Sequence, residues 1–112
     1  MSAITSHVLD TSLGKPAAAV SVSLAVLEDG AFVELGRGVT DQDGRIKQLL
    51  GQSTLTAGLY CLRFETGAHY RALGQPSFYE RVEIQFHVDD PSQHYHVPLL
   101  LSPFGYSTYR GS

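Results

Sequence analysis

The chain has 112 residues, 43% hydrophobic and 17% charged, with eight Lys and Arg against eleven Asp and Glu for a formal charge of −3. That balance predicts one globular domain over residues 1–112 and, with no basic cluster, argues against a nucleic-acid partner. Apolar runs such as 97–101 fall far short of the roughly 18 residues that a membrane helix needs, so no membrane partner is expected.

The opening residues Met-Ser-Ala-Ile-Thr-Ser-His carry neither a positive start nor an apolar stretch, which predicts no secretory leader and a cytoplasmic protein, with a peroxisomal location left open. Cys61 is the single cysteine, so no intrachain disulfide and no cysteine metal cluster can form. A domain of this size buries roughly two-thirds of its unfolded surface, so a sizeable ligand site is expected between subunits.

In chain order, residues 3–10 read as a first strand, ended by the turn-forming Thr-Ser-Leu-Gly-Lys-Pro run. Val20, Val22, Leu24 and Val26 alternate with small or polar residues, the two-residue period of a strand with one buried face. Glu-Asp-Gly within 27–31 then predicts a hairpin into residues 31–40. Strands are expected at 45–50, after Asp-Gln-Asp-Gly, and at 58–65. Only 67–74 suits a helix, of about two turns. Val82, Ile84, Phe86 and Val88 alternate with Glu83, Gln85 and His87, a second amphipathic strand. The last strands are expected at 94–101 and 104–110, with Pro98 marking an edge or an irregularity because it cannot donate a ladder bond. Together these segments predict an all-β protein, a two-sheet antiparallel sandwich of about eight strands with one short helix.

The search for chemistry starts with five histidines. His94 and His96 share one strand face, as two metal ligands would, but a zinc site needs at least a third ligand, so surface or core placement is the default and no metal is expected. No Gly-x-Ser-x-Gly elbow is present, and Cys61 sits in an apolar run where a small buried residue is the common role. Gly36-Arg37-Gly38 lacks the lysine and spacing of a phosphate loop. The tail Tyr106–Ser112 is unusual, running β-prone residues to the last atom where ordinary termini fray.

Four segments, SHVLDTSLGKPA (6–17), DGR (43–45), FYERVEIQFHV (78–88) and HYHVPLLLSPFGYSTYRGS (94–112), closely resemble the transthyretin-like 5-hydroxyisourate hydrolases. The ending Tyr109-Arg110-Gly111-Ser112 is the feature that separates these hydrolases from the thyroxine-carrying transthyretins. The resemblance implies a homotetramer, a dimer of dimers, with active sites in clefts between dimers. It implies hydrolysis of 5-hydroxyisourate to 2-oxo-4-hydroxy-4-carboxy-5-ureidoimidazoline in urate degradation. It places catalytic groups at His7, Arg45, His96 and Ser112, and substrate contacts at His7, Arg45, Tyr109 and Arg110, with no cofactor. Ser12-Leu13 and Lys15 stand where the family often has arginines, and Phe104 where it often has tyrosine. The competing expectation is a non-catalytic carrier of an aromatic or thyroid-hormone-like ligand. Against it, a passive apolar channel gains nothing from lining itself with charge that must be desolvated.

Overall fold

The computed structural model describes residues 3–112. Its strands are β1 (Ile4–Asp10), β2 (Lys15–Pro16), β3 (Ser21–Glu28), β4 (Ala31–Val39), β5 (Arg45–Ile46), β6 (Gly58–Phe64), β7 (Val82–Val88), β8 (Tyr95–Ser102) and β9 (Gly105–Thr108), with helix α1 (Thr66–Ala72) between β6 and β7. One sheet runs β2-β1-β8-β9 with β5 also on β1, and the other runs β4-β3-β6-β7.

The two-residue alternation of the sequence is what fills the space between the sheets. Ile4 and Val8 of β1, Val97 and Leu99 of β8, Val22 and Leu24 of β3, and Leu62 and Phe64 of β6 all face inward and are buried. Truncating a side chain as well enclosed as Leu99 to alanine is expected to cost about 2–5 kcal/mol of stability. At the β3–β4 hairpin Asp29 and Gly30 both adopt positive φ, of 50° and 82°, the backbone that a tight two-residue turn between twisted strands requires.

Asp10 closes β1 as a buried carboxylate. Its Oδ1 accepts the amide N–H groups of Ser12 (3.0 Å) and Leu13 (3.2 Å), and its Oδ2 accepts the Tyr70 hydroxyl of α1 at 3.2 Å. Burial, reinforced by this carboxylate, pushes the Tyr70 phenol well above its ordinary pKa, so it stays a hydrogen-bond donor.

Three details depart from the sequence expectation, and a fourth meets one of its two alternatives. β1 pairs with β8 in parallel, whereas the other pairings are antiparallel. The strand expected at 45–50 stops after Ile46, because Leu49 and Leu50 enter the core from an irregular segment rather than from a ladder. Lys15–Pro16, read as turn, forms a short ninth strand on β1. Pro98 lies in β8, an interior strand, yet the expected irregularity is there: β9 is bonded to 99–102, pairing resumes only at the isolated His96–Gly111 bridge, and the Pro98 carbonyl takes the Thr108 hydroxyl at 2.7 Å.

Candidate active site

The parallel register of β1 and β8 places Thr5 beside His96 and His7 beside Pro98. Residues of β1 alternate strictly between buried and half-buried, so Thr5, His7 and Leu9 take the outward face and Ile4, Ser6 and Val8 the inward one. His96 and Leu100 of β8 share that outward face with them.

Arg45 reaches the same face through the Asp43-Gly44-Arg45 turn. Gly44 has φ +75°, and its carbonyl accepts the Val8 N–H at 2.7 Å, which lays the turn against β1. Asp41 Oδ1 accepts the amide N–H groups of Asp43 (2.9 Å) and Arg45 (3.0 Å), and these bonds hold its carboxyl below the usual carboxylate range. Arg45 then pairs with His7 across the β5–β1 ladder. The turn also fixes the histidine: Nε2–H of His7 donates to the Asp43 carbonyl at 2.8 Å, which leaves Nδ1 of a neutral ring as its acceptor nitrogen.

His96 is half-buried, and Nδ1 lies 2.8 Å from Thr5 Oγ1. Burial lowers its pKa from 6.5, and electrostatic repulsion from His94, Arg45 and His7 lowers it further, in that order. His96 is therefore neutral at pH 7 with a guanidinium and a second imidazole inside its electrostatic reach. Among the described residues, no acidic side chain forms a salt bridge with Arg45.

The tail completes one side of this cluster. The Gly111 N–H donates to the His96 carbonyl at 2.8 Å, and a Cβ on Gly111 would stand only 2.6 Å from Cδ2 of the His96 ring. Only glycine lets the backbone lie this close to the imidazole. Ser112, exposed, follows directly. Tyr109, by continuation of the same register, stands opposite Pro98 and is 57% exposed.

Arg110 is the sequence-predicted site residue that the structure does not bring to the cluster. Its guanidinium stacks 4.5 Å above the buried Tyr95 ring and donates to Gln93 Oε1 at 3.0 Å. The reason is strand alternation: Arg110 falls on the opposite side of the tail from Gly111. There it borders a cleft of about 230 Å³ between the edges of β7 and β9, lined also by Ile84, Phe86, Tyr95 and Val97.

Thr5, Gly111 and the Asp43 carbonyl are site features that the sequence reading did not single out. The signal for Thr5 was present, since it lies two residues before His7 on the same strand face. Cys61 is buried as expected, and burial pushes its thiol pKa up, away from nucleophilic use. No helix among the described residues is long and apolar enough to cross a membrane.

A β-sandwich with a histidine- and arginine-bearing outer sheet face defines the class. The HIUase/Transthyretin family profile matches residues 4–111, and the chain belongs to that family. It is similar to the 5-hydroxyisourate hydrolase of Halalkalibacterium halodurans, 46% identical over 115 residues that cover 97% of each chain. Among solved structures it is similar to Klebsiella pneumoniae 5-hydroxyisourate hydrolase, with a TM-score of 0.86, 42% identity and 100% of both chains covered. It is also similar to sea bream transthyretin in complex with thyroxine, with a TM-score of 0.90, 32% identity and 97% and 94% of the two chains covered.

Proposed function

We propose that this chain is a 5-hydroxyisourate hydrolase, opening the six-membered ring at an amide bond to give 2-oxo-4-hydroxy-4-carboxy-5-ureidoimidazoline in urate degradation. The observation that carries the reading is the meeting of His7, Arg45 and His96 on one outward sheet face, in a chain 46% identical to a protein named for that activity. Amide hydrolysis by water needs a proton acceptor for the nucleophile and stabilisation of the oxyanion that develops on the carbonyl.

What favours His96 as the acceptor is its burial beside cationic neighbours, which keeps the ring neutral below the usual histidine range. His96 takes a proton from water as the water oxygen bonds to the carbonyl carbon. Arg45, in no salt bridge among the described residues, holds the electron-rich substrate oxygens by charge-assisted bonds. His7, oriented by Asp43, presents Nδ1 to the same space. Ser112 orients the water or passes the proton to the leaving nitrogen, and Tyr109 contacts substrate. Arg110 anchors the tail through Tyr95 and Gln93 in place of a direct substrate contact.

The active form in this reading is a homotetramer, a dimer of dimers. Supporting it, β7 and β9 are both edge strands bordering one cleft, and each offers an unpaired backbone row to a second copy. The site would then lie where outward faces of two dimers meet.

The carrier reading draws on the likeness to thyroxine-bound transthyretin. Two assays separate the readings: the absorbance decay of freshly made 5-hydroxyisourate with and without the chain, and a thyroxine titration. Accelerated decay without thyroxine binding is expected. Spontaneous decay alone, with saturable thyroxine binding, overturns the hydrolase.

A further inference from the structure

The Thr5 hydroxyl touches two imidazoles at once. Its Oγ1 lies 2.8 Å from Nδ1 of His96 and 3.1 Å from Nε2 of His94, and the two rings are nearly parallel, 15° apart with centroids at 6.5 Å. Both contacts follow from backbone placement. The parallel β1–β8 register sets Thr5 directly beside His96, and His94 lies two residues before His96 on the same side of the chain.

A hydroxyl carries one proton, so it donates to one ring nitrogen and accepts from the other. In one arrangement His96 Nδ1–H donates to Thr5 and Thr5 donates to His94 Nε2, which leaves Nε2 of His96 bare as a base. In the other, His94 Nε2–H donates to Thr5 and Thr5 donates to His96 Nδ1, which leaves Nε2–H of His96 as an acid. The first becomes the second by the shift of two protons along one line of hydrogen bonds together with a proton gained at His96 Nε2, which leaves His94 charged.

We propose that Thr5 is a positioning residue that sets the tautomer of His96 and links it to His94 as a proton reserve for the hydrolysis. The inference rests on the assignment of His96 to that reaction. When His96 Nε2 takes the water proton, its Nδ1 proton passes to Thr5 and the Thr5 proton to His94 Nε2, so the positive charge ends on His94. The reverse shift returns a proton to His96 Nδ1, so that Nε2–H, still carrying the proton taken from water, becomes the acid for the leaving nitrogen, and no proton is gained or lost overall. Transfer of the charge to His94, which is exposed, moves it off the half-buried His96 ring, where burial and the Arg45 guanidinium oppose imidazolium. The other groups against His96 are Thr5 on β1 and Gly111 of the tail.

The test combines ring-nitrogen NMR titrations with kinetics on the full chain. In the wild type, the His94 Nε2 shift should follow the protonation of His96. Thr5→Val, which keeps the shape and removes the hydroxyl, should abolish that response and lower kcat at least tenfold with KM unchanged, and Thr5→Ser should restore both. The proposal is overturned if His94 ignores the His96 titration in the wild type, or if Thr5→Val keeps either the coupling or the wild-type kcat. The wild-type titration decides even if Thr5→Val does not fold. A wild type that fails to hydrolyse 5-hydroxyisourate defeats the assigned reaction, and the NMR coupling still reports separately on the relay.

Discussion

The outward faces of the two sheets handle charge in opposite ways. On the β4-β3-β6-β7 face every arginine is matched by a carboxylate: Arg37 with Glu34, Arg63 with Glu83, and Arg81 with both Glu65 and Glu83. On the β1-β8 face, Arg45 stands with His7 and His96 and without a salt bridge among the described residues. Self-neutralised pairs in water contribute little and ask for no partner. A guanidinium free of salt bridges beside imidazoles is, in the proposed reading, the group that meets an electron-rich ligand. One scaffold thus carries a solvated wall of paired charges and a second wall where a guanidinium and imidazoles stand without salt bridges among the described residues.

The predictions rank by how directly they strike that difference. Arg45→Ala removes the sole cation of strand β5 from the β1-β8 face and should lower kcat/KM for 5-hydroxyisourate by about 10²–10³-fold, the scale for losing an oxyanion-stabilising donor. Steady-state rates corrected for spontaneous decay check it. Gly111→Ala drives a methyl against the His96 ring and should reduce kcat by roughly tenfold or more while the circular dichroism spectrum stays native.

The third prediction concerns acidity. The base must be neutral, and its pKa is depressed, so activity should persist below pH 6.5 and fail only as His96 finally protonates. Replacing Arg45 by Gln removes a repelling charge, so the His96 titration seen by NMR should move upward. A His96 pKa above 6.5 in the wild type would contradict the electrostatic account. A milder effect is expected from Tyr70→Phe, which deletes one hydrogen bond to Asp10 and should cost about 1 kcal/mol in urea unfolding without changing kcat. On the solvated wall, Glu34→Gln should leave both kcat/KM and the unfolding midpoint unchanged within error.

Much of the fold was legible because half-buried strands announce themselves. Alternation at 20–26 and 82–88 matches β3 and β7 almost residue for residue. The segment 47–50 misled because Leu49 and Leu50 are apolar for core filling and not for pairing, and apolarity alone does not distinguish the two. The parallel union of β1 and β8 was invisible, since no local pattern encodes which distant strand lies alongside. That union matters most for the site, because it sets Thr5 against His96 and brings two ends of the chain together. His7, Arg45 and His96 were named through resemblance, and composition or spacing alone would have left them as scattered surface groups. Arg110 belongs to the quoted tail, and strand alternation turns its side chain toward Tyr95, a placement the motif alone does not encode.

The most direct measurement is the rate of 5-hydroxyisourate loss, above the spontaneous rate, with wild-type chain and with His96→Ala at equal concentration. The account predicts rapid loss with the wild type and a rate near background with the variant, both proteins being equally folded. Equal acceleration by the two would contradict it.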